Sequence, residues 1–413
     1  MYCREIDNSW DFRDVDTKEY THCYHSYPAM MIPQVARTLI NNYKPIDKCD
    51  LLFDPYMGSG TSLVEAALAN INAVGTDLNP LARLIAKVKT TVYDIRVLED
   101  EFCEMQFRFP LFSYDRIKNK DFSRISNYSY WYSEESLLRL SYLSQLISEC
   151  SVNQDFFNVA LSEVVREVSF TRNGEFKRYR MSEEKVKTYH PDVFRLFEIK
   201  VWRNLNGLRE FKAVVPNVSV DICDFNSTVE IPNSAIESES VDMIVTSPPY
   251  GDSRTTVAYG QFSRWANEWF DFENAHNLDS LLMGGGRTRQ KLFLAESIKK
   301  ELEQIAEIDT RRYYEVVSFL NDYWFSIQNV ANTVRPGGVV CYVVGNRNVK
   351  GVQIPLDYFT AETFERCGFC HVITLVREIP NKRMPSKTSP TNVCGAKVDT
   401  MSNEFIVVLK KNA

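Results

Sequence analysis

The chain has no run of about 18 or more apolar residues, so no membrane-spanning helix is expected. Its first residues, Met1-Tyr2-Cys3-Arg4-Glu5-Ile6-Asp7, lack the apolar stretch of a secretory signal. Histidine is scarce, at five residues, and the ten cysteines are scattered. Cys367 and Cys370 form one Cys-x-x-Cys pair with no second pair to complete a zinc site. No metal is expected there, and the thiols read as reduced packing groups. No internal repeat is present. Positive charge is not in excess either: the formal net charge is −6, whereas proteins that neutralise phosphates tend to be basic. These absences point to a cytoplasmic enzyme with no membrane partner. They leave the question of nucleic acid to the local distribution of charge.

What is there is ordinary in bulk and specific in detail. With 44% hydrophobic and 25% charged residues the composition is that of a globular protein. A chain of 413 residues is long enough for a large core plus one added domain. Three stretches are locally basic. Arg172, Lys177, Arg178, Arg180, Lys185 and Lys187 form the first. Arg287, Arg289 and Lys291, after Gly284-Gly285-Gly286, form the second, and Lys382, Arg383 and Lys387 the third. Each is read equally well as a solvated face or as a nucleic-acid contact.

Val241-Asp242-Met243-Ile244-Val245-Thr246 reads as a strand that runs into Ser247-Pro248-Pro249-Tyr250-Gly251. The two prolines have no N–H and a fixed φ, so the strand ends there in a stiff corner. Ser247, preceding a proline, is biased to extended geometry. Carbonyl acceptors beside an aromatic ring suit a flat substrate that carries an amine. Taken alone, such a run is also common loop punctuation.

A second motif lies far upstream. Leu51-Leu52-Phe53-Asp54-Pro55-Tyr56-Met57-Gly58-Ser59-Gly60-Thr61, followed by Ser62–Ala69, reads as strand, glycine turn and helix. Gly58 and Gly60 permit a tight turn and close backbone approach to a ligand. The next strand, Asn72–Asp77, ends in a carboxylate placed to accept bonds from ribose hydroxyls. Leu78 and Asn79 follow, and Pro80 opens the next helix. Together these predict a nucleoside cofactor.

The two motifs resemble those of the S-adenosylmethionine-dependent amino-methyltransferases of DNA. The first motif of that family is similar to Asp54-Pro55-Tyr56-Met57-Gly58-Ser59-Gly60-Thr61, and its catalytic motif to Ser247-Pro248-Pro249-Tyr250. His25-Ser26-Tyr27-Pro28-Ala29-Met30-Met31-Ile32-Pro33 resembles the family's cofactor-covering segment. The resemblance spans about half of the chain. Tyr56 and Met57 replace the commoner Phe and Cys at packing positions.

The resemblance implies an α/β fold of the Rossmann-like class I methyltransferase type, with a seven-stranded, mostly parallel sheet and helices on both faces. Residues 1–95 would form the cofactor-binding part of the core and 215–413 its catalytic part. Residues 96–214 are rich in aromatic and charged residues at helical spacing and too long for a loop, so they read as an inserted helical domain. Further strands are expected at Val218–Asp224, Gly338–Gly345, Val372–Arg377 and Glu404–Leu409, the last two as an antiparallel edge pair. Gly58, Gly60, Asp77, Asp224 and Ser247 then converge on one rim at the carboxyl ends of the strands.

By resemblance the cofactor is S-adenosylmethionine, held by Tyr27, Pro28, Asp54, Tyr56, Gly58, Ser59, Gly60, Thr61, Asp77, Leu78, Asn79, Asp224, Phe225 and Ser247. Asp224 is expected to take a bond from the adenine amine. The expected reaction places a methyl group on the exocyclic amine of a base flipped out of double-stranded DNA. Ser247 and the Pro248 carbonyl would accept from the amine, and Tyr250 would stack on the base. Serine at the first motif position is commoner in the family's N4-cytosine enzymes, which favours cytosine, in a restriction–modification system with a cognate endonuclease. N6-adenine methylation, RNA guanine-N2 methylation and an inactive DNA-binding module are the alternatives. Only about 50 residues precede the glycine loop, which speaks against the RNA enzyme and its added domain. DNA contacts are expected from Arg172, Lys177 and Arg178 on a hairpin at 171–178, from Arg254, Arg287 and Arg289 in an insertion at 252–312, and from Lys382 and Arg383. In that insertion Tyr259, Phe262 and Trp265 read either as contacts or as core.

Overall fold

The computed structural model describes residues 2–114, 120–150, 153–174, 176–251, 258–379, 387–388, 398–399 and 403–413. Arg254, Lys382 and Arg383 lie outside the described residues. The chain opens with β1 (Arg4–Ile6), a 3-10 turn at Asn8–Asp11 and α1 (Pro33–Tyr43). Then come β2 (Leu51–Asp54), α2 (Thr61–Leu68), β3 (Asn72–Thr76) and α3 (Pro80–Thr90). A helical stretch follows, with α4 (Ile95–Arg108), α5 (Glu134–Ser148), α6 (Gln154–Glu167) and α7 (Val193–Val214). The sheet resumes with β4 (Val220–Cys223) and β5 (Val241–Thr246). After them stand α8 (Tyr259–Trp269), α9 (Lys299–Ile308), α10 (Thr310–Thr333), β6 (Val334–Val344), α11 (Leu356–Arg366), β7 (Phe369–Glu378) and β8 (Asn403–Lys411).

The helices start where polar caps permit. Asn79 accepts from the Leu81 N–H ahead of Pro80 at the first position of α3. Ser133, Asp192 and Asp309 cap α5, α7 and α10 in the same way.

The sheet has eight strands in the order β1-β7-β8-β6-β5-β2-β3-β4. Only β8 runs antiparallel to its neighbours β6 and β7; the other pairings are parallel. The seven expected strands are present, and β1 is an eighth. It adds to the free side of β7, pairing Arg4 with Thr374 and Ile6 with Val376. All three of its residues are exposed, so it carries no alternation that the sequence could reveal. The β7–β8 pair therefore does not form the edge of the sheet. β6 begins four residues before the expected Gly338, at Val334, and a register shift opposite Val241 and Met243 absorbs Pro336 and Gly337.

Topology decides where a ligand binds. From β2 the chain steps outward through β3 to β4, then returns to β5 on the other side of β2. The direction of winding reverses between β2 and β5, and the crevice at their carboxyl ends is the place open sheets offer to ligands.

Alternation along the strands builds two cores. In β6, Val339, Cys341 and Val343 face α1 and α2, meeting Val35, Leu39 and Leu63. Val340, Tyr342 and Val344 face the opposite layer, with Phe319 and Tyr323 of α10 and Phe359 and Phe364 of α11. A third core joins α4 to α7 with Leu81, Ile85 and Val88 of α3 and Phe262, Trp265 and Trp269 of α8. The helical block therefore shares its core with elements on both sides of 96–214. Phe262 and Trp265 are core residues, 7% and 0% exposed.

One buried carboxylate stitches the opposite end of the sheet. Asp242 accepts from the backbone N–H groups of Asp50 and Leu51 at 2.8 and 2.9 Å and from Arg335 Nε at 2.6 Å. It thereby ties the starts of β2, β5 and β6. Asp242→Ala leaves two part-buried N–H groups without their acceptor and takes one of two carboxylate partners from Arg335, which keeps Asp47; it is expected to cost about 2 kcal/mol. A lowered urea midpoint measures this; an unchanged midpoint contradicts it.

Candidate active site

A cleft opens at the carboxyl ends of β2, β3, β4 and β5, enclosing about 1040 Å³ with the solvent at its mouth included. Its floor is the turn after β2, with Asp54, Tyr56, Gly58, Ser59 and Thr61. One wall is Thr76, Asp77, Leu78 and Asn79, and another is Phe225 to Thr228. Ser247, Pro249 and Gly251 of the proline corner close the third side. Tyr27 to Met31 cover the cleft, and Tyr259, Leu282 and Met283 complete the lining.

Asp54 joins the two sequence motifs. Its Oδ1 accepts from the Tyr56 N–H at 3.0 Å and from Thr246 Oγ1 at 2.5 Å; its Oδ2 accepts from Ser62 Oγ. Burial pushes its carboxyl up to about 6, against these hydrogen bonds, which favour the charged form. The carboxylate thus locks the glycine turn and the first turn of α2 to the last residue of β5.

Asp77 shapes the neighbouring wall. Its two oxygens accept from the Gly58 N–H at 3.1 Å and the Asn79 N–H at 2.7 Å. Burial raises its carboxyl to about 6 as well. Asn79 is a hub: its Nδ2 donates to Tyr27 Oη at 2.8 Å and Ser263 Oγ at 2.7 Å, and its Oδ1 accepts from Asn267 at 3.2 Å. The covering segment, α3 and α8 are held together at this one amide. Tyr27 also stacks on Tyr259, with ring centroids 6.1 Å apart.

The residues fit S-adenosylmethionine. The cleft offers an ionisable acid at the end of β3, apolar rings and methionines for an adenine, and a buried hydroxyl, Ser59 Oγ, that has no partner among the described residues. Such an orphaned hydroxyl is the mark of a site shaped for a polar ligand.

Of the expected cofactor residues, Tyr27, Pro28, Asp54, Tyr56, Gly58, Ser59, Thr61, Asp77, Leu78, Asn79, Phe225 and Ser247 line this cleft. Gly60 and Asp224 do not. Gly60 has φ +77°, and a Cβ there would lie 2.9 Å from Ala86 Cβ, so it serves the close packing of the turn on α3 rather than ligand approach. Asp224 is exposed, and the chain turns inward one residue later, where Thr76 Oγ1 holds the Phe225 carbonyl at 2.7 Å. Of the corner, Pro248 is buried and Tyr250 half-buried behind the lining. The Tyr250 hydroxyl is held by Ser247 Oγ at 3.1 Å and Glu404 Oε1 at 3.0 Å.

The basic candidates divide. An antiparallel bridge between Thr171 and Arg180 forms a hairpin that rests on α8, where Gln261 accepts from the Arg178 N–H at 3.4 Å. Arg172 on it is exposed and Lys177 half-exposed. Arg178 is instead packed over Trp265 and Trp131, 4.7 and 5.8 Å from their centroids, a cation–π seat that holds it against the core. Arg287 and Arg289 are exposed and closely follow Leu282 and Met283 of the cleft lining.

Several residues that line or support the cleft escaped sequence reading. Thr76 and Thr246 sit one residue before the residues singled out, and Asn226 to Thr228 directly follow Phe225, so the motifs were read a residue too narrowly. Leu282, Met283 and Glu404 carry no local signal; only the folded chain brings them to the cleft or the corner.

Residues 3–87 match the N6/N4 methyltransferase family, described as a DNA methylase. The chain is 38% identical over 426 aligned positions to the type II methyltransferase M.MvaI of Kocuria varians, covering 97% of this chain and 93% of that protein. It is 24% identical over 411 positions to the type II methyltransferase M.BsoBI of Geobacillus stearothermophilus, covering 84% and 78%. A shorter match, 37% identical over 101 positions, links it to the type II methyltransferase M.MjaII of Methanocaldococcus jannaschii, covering 23% and 19%. With the reversed β8, the switch point between β2 and β5 and the cleft above them, these matches show that the chain is an S-adenosylmethionine-dependent amino-methyltransferase of DNA and belongs to the type II N6/N4 family.

Proposed function

We propose that the chain methylates the N4 amine of cytosine at a specific DNA site, with the target base flipped out of the duplex. It would act in the cytoplasm as the modification partner of a cognate restriction endonuclease. The observation that carries the reading is the single cleft shared by the glycine turn, Asp77 and Ser247. The preference for cytosine rests on Ser247 as the first residue of the Ser-Pro-Pro-Tyr corner.

S-adenosylmethionine supplies a methyl group on a positively charged sulfur. Asp77 would hold the ribose hydroxyls, Phe225 and the methionines Met30 and Met31 the adenine, and Tyr27 with Pro28 the cover. Asp54 would keep the corner at a fixed distance from the turn through Thr246. Ser247 Oγ and the Pro248 carbonyl would accept from the amine hydrogens of the base, which favours a nitrogen lone pair directed at the methyl donor. Alignment of the two reactants provides much of the rate. No base strong enough to deprotonate the amine beforehand is required of the chain, because the proton can leave to water after transfer. Tyr250 would stack on the extruded base. Arg172, Lys177, Arg287 and Arg289 would supply positive charge for the phosphates, which would answer the negative balance of the whole chain.

Mass spectrometry of nucleosides from DNA treated with the enzyme is expected to show N4-methylcytosine; N6-methyladenine alone contradicts the cytosine assignment. Tyr250→Ala is expected to lower transfer about 10- to 100-fold, the loss of one base–aromatic stack, while sparing cofactor binding. Asp77→Ala should do the reverse and weaken cofactor binding first; equal effects of both on cofactor affinity contradict the two roles. Because the Asp77 carboxyl is pushed up to about 6, its ionised form is lost as pH falls through that value. Cofactor affinity is therefore expected to be level above pH 7 and to weaken below pH 6, by at most about tenfold per pH unit. Asp77→Asn should flatten that profile, and an unchanged profile in the variant contradicts the role.

A further inference from the structure

Behind the catalytic corner runs a chain of hydrogen bonds that reaches from the end of β5 to β7, three strands away. Tyr250 Oη lies 3.0 Å from Glu404 Oε1, and Glu404 Oε2 lies 2.6 Å from Arg377 Nη1. Glu404 and Arg377 are directly opposite one another in the antiparallel β7–β8 ladder. The Arg377 guanidinium, 5% exposed, is fixed from behind by the carbonyls of Trp10 at 2.8 Å and Asp11 at 3.4 Å. That 3-10 turn is held in place by β1, which pairs with β7, and by the Asp7 N–H bonded to the Val376 carbonyl at 3.3 Å. The Glu404 side chain is 18% exposed.

The direction of each bond follows from what each group can do. Arg377 only donates, so Glu404 is held as a carboxylate, which only accepts. The Tyr250 hydroxyl has one proton and must give it to Glu404. Its pKa is raised by burial and by Glu404, so the proton stays on the phenol. With its proton committed, Tyr250 Oη is left as an acceptor, and the Ser247 hydroxyl 3.1 Å away donates to it. Ser247 Oγ then has only lone pairs to offer the cleft that it lines.

We propose that Glu404 is a positioning residue for methyl transfer: through Tyr250 it fixes the Ser247 hydroxyl as an acceptor facing the target amine. Arg377 and the amino-terminal strand β1 hold the carboxylate that sets this polarity. The inference rests on the corner being the transfer site, and not on whether the base is cytosine or adenine. Ser247 then has no proton to give a ring nitrogen of the base, since that proton is already used.

The test is Glu404→Gln, nearly the same in size. Arg377 still demands an oxygen, which turns the amide NH₂ toward Tyr250 Oη and reverses every bond down to Ser247. Transfer of a labelled methyl group from S-adenosylmethionine to duplex DNA reads the outcome for either base. Glu404→Gln is expected to lower kcat about tenfold or more, with the cofactor dissociation constant within about twofold of wild type. Tyr250→Phe, which keeps the ring and breaks the chain, should lower kcat as well. In the Tyr250→Phe background Glu404→Gln should have no further effect, because nothing remains to be oriented. An unchanged kcat in Glu404→Gln, or effects of the two substitutions that multiply, overturns the proposal. Ser247→Ala with Tyr250→Ala separates the two readings: undiminished transfer there defeats the corner itself, whereas loss there beside a fully active Glu404→Gln defeats only the role of Glu404.

Discussion

The carboxylate of Asp54 is the constraint on which the site depends. Residues at the end of β2, at the start of α2 and at the end of β5 all donate to it. Thr246 and Asp54 are 192 positions apart, yet their side chains are 2.5 Å apart in the fold. The glycine turn and the proline corner are therefore not merely on the same rim; they are bonded through one buried acid. Because that acid is held by three donors, the space between cofactor wall and target wall is set by the scaffold. Alignment of two reactants is worth most when neither wall can drift.

The rest of the chain supports this cleft from three directions. The parallel strands β2 to β5 bring Asp54, Asp77, Phe225 and Ser247 to their carboxyl ends. The helical block does not stand apart, because its core runs through α3 and α8. Asn79, Tyr27 and Tyr259 sit where that shared core meets the cleft, so the cover and the nucleoside wall are packed as one unit. On the far side, β1 and β8 carry no part of the lining. They anchor Arg377 and Glu404 behind the corner.

What the sequence made legible follows from how local each signal is. The strands from β2 to β8 announce themselves as apolar runs, and a carboxylate or proline corner after such a run is visible without a structure. β1 has three exposed residues and no pattern, so only its pairing with β7 defines it. Gly58 and Gly60 look alike in the chain. One lines the cleft, while the other answers to Ala86 across a helix contact that no local pattern records. Asp224 directly follows β4, and the chain gives the cleft wall to Phe225 one residue later. Arg178 reads as a free basic residue until Trp131 and Trp265 are brought beneath it. Glu404 becomes a neighbour of Tyr250 only because β8 inserts between β6 and β7, a strand order that spacing along the chain does not encode.

The central claim is that one cleft holds the methyl donor and aligns the target amine at the proline corner. A crystal structure with a duplex containing the target site and a non-reactive analogue of S-adenosylmethionine tests it most directly. The account predicts the analogue's ribose against Asp77 and the exocyclic amine of an extruded base in hydrogen-bond contact with Ser247 Oγ, in line with the position of the donor methyl. An analogue bound outside this cleft, or a target amine remote from Ser247, would contradict it.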